Sequence, residues 1–192
     1  SRKGTIVRYE SLRDRLRHVA ADETREKHAD WSASRVEKAA HAVAHAALVY
    51  SMAKQDPKKD LTFSVEEAVA FEGNTGPYLL YTTSRISSLL AKASIEPAMH
   101  DGVLGSPERA LVLHLAQYPS VVAASAQHLT LSDVPNYAFN LAQMFSTYYN
   151  DVRIIDEEKP AVSATRLALC RAVLITLGNA LRMMGLEPLE EM

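Results

Sequence analysis

Cysteine is almost absent from this chain. Cys170 stands alone, so no internal disulfide can hold the fold together, which suits a reducing compartment. Long apolar runs are missing too: polar residues interrupt each one well before the roughly 20 residues a membrane-spanning helix needs. The start carries no charged, apolar, small-residue leader. The expectation is a soluble, cytoplasmic protein with no membrane partner. An excess of positive charge is also lacking. With 21 Lys and Arg against 23 Asp and Glu, the net charge is −2, whereas a protein held by phosphate contacts is usually basic as a whole. Any nucleic-acid role must therefore rest on local charge.

The motifs of common chemistries are also missing. His41 and His45 are four apart on one helical face, but Ala42 stands where the zinc-protease pattern needs Glu, and no Cys or third His lies nearby. They read as surface or packing histidines. Cys170, between Leu169 and Arg171 in a helical stretch, reads as a small buried hydrophobe. There is no G-x-S-x-G elbow. The glycines of Glu72-Gly73-Asn74-Thr75-Gly76 lack the Lys-Ser/Thr of a phosphate-binding loop. Paired carboxylates such as Glu157-Glu158 lie in polar runs that solvate a face.

What is present is an ordinary globular composition, 47% apolar and 23% charged over 192 residues, enough for one large domain or one domain with a short lead-in. Thr5-Ile6-Val7-Arg8-Tyr9 is the one strand candidate. Helical patterns follow. Ser11 to Ala29 reads as a solvated helix. Ser34 with Glu37 forms a capping box before an apolar run through Val43 and Tyr50. Ser64 with Glu67 forms a second, opening a short helix to about Phe71. Thr75 is the N-cap of a helix with Pro77 in its first turn, running to about Ala93. A loop follows to Gly105. Ser106-Pro107-Glu108 starts a helix that ends near Tyr118-Pro119, with a separate short helix over 120–128. Ser132 or Asp133 caps a helix whose Tyr137, Leu141, Met144, Phe145 and Tyr148 share one face. Pro160 to Met184 is a long helix closed by Gly185. The fold expected is all-α: a helical bundle over 61–192, preceded by a loop, strand and helix lead-in over 1–60.

Charge is uneven along this plan. The first 18 residues are basic, from Arg2 and Lys3 to Arg17, while Arg109 is the only Lys or Arg from Ala93 to Asn150. Tyr78, Tyr81 and Arg85, at i, i+3 and i+7, share a helix face on which two phenols and a guanidinium could stack on unpaired bases. Tyr149 and Arg153 offer a second set at a helix end. The alternative is that these tyrosines are half-buried packing residues with bonded hydroxyls.

Phe71-Glu72-Gly73-Asn74-Thr75-Gly76-Pro77-Tyr78-Leu79-Leu80-Tyr81, followed by Ser84-Arg85-Ile86, closely resembles the motif of arginyl-tRNA synthetases that joins their catalytic and anticodon-binding domains. Lys59-Asp60-Leu61-Thr62-Phe63 resembles that family's lead-in. Arg109-Ala110-Leu111, Arg166-Leu167-Ala168-Leu169 and the closing Leu186-Glu187-Pro188 to Met192 look like its helical anticodon-binding domain.

The resemblance implies the C-terminal part of an enzyme that joins arginine to its transfer RNA with ATP and magnesium. Residues 1–60 would close the catalytic region and 61–192 would form the anticodon-binding domain. It implies that Tyr78, Tyr81, Arg85 and Tyr149 face the anticodon arm, that Arg153 takes a position aromatic in some members, and that Met192 approaches the loop. Arg2 and Lys3 resemble the tail of the class I signature loop, most of whose pattern precedes Ser1. The chain holds neither the class I histidine motif nor a nucleotide-binding fold, so it is expected to bind no cofactor, to be inactive alone, and to work as a monomer with arginine tRNA and the missing catalytic domain as partners. Two other readings are a free-standing synthetase-derived RNA-binding or regulatory domain without catalysis, and a generic helical interaction module.

Overall fold

Short polar side chains start three of the helices, where backbone N–H groups lack intrahelical partners. The computed structural model describes residues 8–56, 58–60, 62–101, 104–189 and 192. Among them are seven helices: α1 (Tyr9–Lys27), α2 (Ala33–Ala53), α3 (Val65–Ala68), α4 (Gly76–Lys92), α5 (Ser106–His128), α6 (Asp133–Asp151) and α7 (Pro160–Met183). Ser32 Oγ accepts from the Arg35 N–H at 3.3 Å, Ser64 Oγ from Glu67 at 3.2 Å and Thr75 Oγ1 from Tyr78 at 3.2 Å. At the other end of α7, Gly185 takes φ +74°, as a left-handed cap requires. The all-α bundle is as expected.

Several local expectations are corrected. Residues 5–7 of the strand candidate lie outside the described residues, but Tyr9 opens α1. The α2 cap is Ser32, two residues before the Ser34 of the expected box, so the helix gains half a turn. Helix α3 ends at Ala68, short of Phe71. Gly105, not Ser106, is the α5 N-cap, and its N–H donates to Glu108 Oε2 at 3.1 Å. Pro119 does not split α5. It sits on the exposed face, where water can satisfy the carbonyl the ring deprives of its partner.

Helix α2 is the hub. One of its faces, with Val43 and Ala47, packs with α1 and α3; another, with Ala46 and Tyr50, joins the larger core built by α4 to α7. Leu141, Phe145, Leu167, Leu177 and Leu181 are almost wholly buried there, each contributing about 1.5–3 kcal/mol. By length and composition α7 could cross a membrane; here half of that stretch is buried, packed on α4, α5 and α6 as the central helix of a bundle.

Two contacts set α4 in place. A Cβ on Gly76 would lie 2.3 Å from the Ala46 carbonyl oxygen, so α2 and α4 cross at a distance only glycine permits. The Tyr50 hydroxyl donates to the Pro135 carbonyl at 3.0 Å and also meets Asn74, while Lys54 Nζ donates to the Asn74 carbonyl at 2.7 Å. The 73–77 turn is thus tied to α2, and the face of α4 behind it is aimed.

Candidate nucleic-acid interface

Helices α4 and α6 lie side by side, and their aromatic residues meet. Tyr81 is 41% exposed, the clearest departure from a packing role on this face. Tyr78 is half-buried: its hydroxyl shares a hydrogen bond with Ser146 Oγ at 3.0 Å, and its ring meets Phe139 edge-on at 5.9 Å. One helical turn on, the Arg85 guanidinium lies 4.0 Å over the centre of the Tyr149 ring, whose other contact is the Phe145 ring at 5.9 Å. This cation–π stack is worth about 0.5–2 kcal/mol. It joins Tyr149 to the α4 set, from which sequence spacing had kept it apart.

Two grooves flank this stack. One, of about 840 Å³, runs from the end of α1 to α4 and α6; Phe71, Tyr78, Tyr81, Arg85 and Met192 line it, together with Glu23, Glu66 and Glu72. The other, of about 390 Å³, holds Tyr81, Arg85, Lys92, Tyr149 and Met192. Met192 packs against both core clusters and lines both grooves. Five of the predicted residues, Tyr78, Tyr81, Arg85, Tyr149 and Met192, thus converge.

Arg153 is not among them. Its Nε donates to the Ile155 carbonyl at 3.2 Å, turning the guanidinium back on its own segment, and it lines neither groove. Arg2 and Lys3 lie outside the described residues. Part of the basic N-terminal charge is paired locally: Arg13 with Asp14, and Arg15 with Glu66 at 2.7 Å.

The match to known sequences takes in most of this face. The profile of the DALR anticodon binding domain matches residues 79–192, more than half of the chain. The chain belongs to the DALR anticodon-binding domain family. The resemblance read from residues 71–86 is borne out at that level. Similar proteins include the arginine–tRNA ligases of Treponema pallidum, 37% identical over 204 residues, and Lactobacillus johnsonii, 34% identical over 193 residues; each match covers 100% of this chain and 34% of the relative. The arginyl-tRNA synthetase of Thermus thermophilus superposes with a TM-score of 0.87 at 30% identity, over 97% of this chain and 32% of that one. The chain therefore spans about a third of the length of the relatives it matches.

Within this DALR domain, sequence reasoning missed one functional-looking cluster. Glu108, 2% exposed, accepts from Arg166 Nε at 2.9 Å, and Arg166 Nη1 donates to the Arg153 carbonyl at 2.8 Å. Glu108 drew notice only as an acid in a helix first turn, and Arg166 only as part of a motif; nothing in their spacing, 58 residues apart, pairs them. Cys170 lies wholly buried, and burial pushes its thiol up to about 12, so it is no nucleophile. His41 and His45 are both exposed, and among the described residues no group of His, Cys, Asp and Glu is arranged to hold a metal ion.

Proposed function

We propose that this chain is the anticodon-arm-binding part of an arginyl-tRNA synthetase, a ligase that joins arginine to its transfer RNA in the cytoplasm using ATP and magnesium. Residues 1–60 close the catalytic region of that enzyme and 61–192 form the RNA-binding domain. The activating chemistry belongs to the nucleotide-binding domain, and Arg2 and Lys3 to its signature loop. Tyr78, Tyr81, Arg85, Tyr149 and Met192 receive the anticodon loop.

The observation that carries this reading is the Arg85–Tyr149 stack beside the exposed Tyr81 ring. Stacked rings and a guanidinium plane are what unpaired bases bind, at about 1–3 kcal/mol per base. The charge around them argues for bases over backbone. Glu23 and Glu72 also line the larger groove; carboxylates repel phosphates but accept hydrogen bonds from exocyclic amino groups. Such contacts discriminate, whereas phosphate contacts chiefly position. This accounts for an RNA-binding chain with a net charge of −2.

The test is binding of the chain, at one moderate salt concentration, to an arginine tRNA and to the same RNA with a changed anticodon. The changed RNA should bind more weakly. Tyr149→Ala should cost about 1–3 kcal/mol of cognate binding and leave the helical circular dichroism unchanged. Equal binding of the two RNAs means the contacts are to backbone, and unchanged affinity in a folded Tyr149→Ala removes that ring from the interface.

A further inference from the structure

Tyr148 and Tyr149 are neighbours in sequence but have opposite environments. Tyr148 is 3% exposed and Tyr149 is half-buried under Arg85. Successive helical side chains point about 100° apart, so whatever holds Tyr148 inward also sets the direction of Tyr149. The Tyr148 hydroxyl stands 3.4 Å from Glu108 Oε1, the same oxygen that accepts from Arg166. Burial, and then the Glu108 charge, push the Tyr148 phenol far above its ordinary range, so it keeps its proton to donate. Four residues beyond Tyr149, past the end of α6, Arg166 Nη1 holds the Arg153 carbonyl at 2.8 Å. The segment from 148 to 153 is therefore tied at both ends to one ion pair, with Tyr149 between the ties. Glu108 is itself anchored to the start of α5 through the Gly105 N–H.

A buried ion pair is a poor device for stability alone, because desolvation offsets most of its Coulomb attraction and well-packed apolar groups often do as well. What it supplies is direction. The guanidinium fork meets a carboxylate on one side and a carbonyl on another with fixed angles. Neither Glu108 nor Arg166 lines either groove, so they touch no base received there. We propose that Arg166, seated on Glu108, is a positioning residue for anticodon discrimination: it holds the end of α6 so that the Tyr149 ring meets Arg85 at the stacking distance. This inference rests on the RNA-binding reading above.

Arg166→Lys keeps the charge but cannot reach Glu108 and the Arg153 carbonyl together. Binding to an arginine tRNA and to its changed-anticodon form, measured well below the melting temperature, should show cognate affinity reduced about tenfold, with little change for the altered RNA. The discrimination ratio therefore shrinks. Where Arg166→Lys does not fold, Glu108→Gln with Arg166→Met removes both charges together, avoids a lone buried charge, and should shrink the ratio in the same way. A folded variant that melts earlier but keeps the wild-type ratio overturns the positioning role and leaves a purely structural pair. A wild-type chain that does not discriminate at all removes the RNA reading first, and the inference with it.

Discussion

Replacing Gly76 by alanine tests the tightest contact in the fold. The added Cβ would stand 2.3 Å from the Ala46 carbonyl oxygen, 2.6 Å from its carbon and 2.9 Å from Tyr50 Cβ. The first two are backbone atoms of α2 and cannot rotate away. Relief requires α2 and α4 to part by about 1 Å, and overpacking of that kind costs typically about 1–3 kcal/mol, more when backbone must move. Alanine's better helix propensity returns less than about 1 kcal/mol. A net loss of about 3 kcal/mol is expected, which for a chain of this length lowers the melting temperature by roughly 6–12 °C. The parting also strains the Tyr50 and Lys54 ties to the 73–77 turn, so RNA affinity should fall with stability. Thermal and urea unfolding followed by circular dichroism give the number. Gly73→Ala is the control: at φ +74° it meets nothing within 4 Å, so it should cost only the left-handed strain, about 1–2 kcal/mol. A Gly76→Ala variant within about 0.5 kcal/mol of wild type, or less harmful than Gly73→Ala, refutes the close crossing.

Two further predictions concern other parts of the molecule. Leu129 caps α5 at φ 52° with 91% of its surface exposed, a left-handed conformation that glycine adopts freely. Leu129→Gly should therefore raise the urea midpoint by the equivalent of about 1 kcal/mol, and a lowered midpoint contradicts the strain. In alkali, burial holds the Tyr137 phenol and the Cys170 thiol up to about 12, from ordinary values of 10.0 and 9.0, and pushes Tyr50 and Tyr148 up as well. Below about pH 8 both folded and unfolded chains keep these protons, so the groups add no pH dependence. Above it the unfolded chain ionises first, and stability falls progressively until the folded groups ionise near pH 12. Urea midpoints at about pH 8 and about pH 11 should differ in that direction, and equal midpoints would mean the phenols are not held in the core.

Most helices, their faces and most of their boundaries were legible in the sequence because they depend on local rules. Periodicity placed Tyr137, Leu141, Phe145 and Tyr148 on the buried face of α6, and Thr75 with Pro77 marked the start of α4. Where two local signals competed, reading failed. Ser34 with Glu37 carried the capping-box pattern, but the hydroxyl that reaches the Arg35 N–H belongs to Ser32. Pro119 looked like a break because its effect depends on which face it occupies, a tertiary fact.

The candidate site divides along the same line. A helix face is set by residues three and four apart, so Tyr78, Tyr81 and Arg85 could be grouped from spacing alone. The residues that complete the site come from other helices and from position 192, and no local rule carries side chains across such separations. That Arg85 stacks on Tyr149, that Arg153 turns away, and that Glu108 meets Arg166 beneath them were decided by the crossing of α2 over α4 at Gly76 and by the packing of α4 to α7. By itself the sequence determined which segments are helical, which faces they bury and which family motif they carry. Tertiary structure decided which faces meet, because helix faces are fixed within one element, whereas their juxtaposition is fixed by long-range packing.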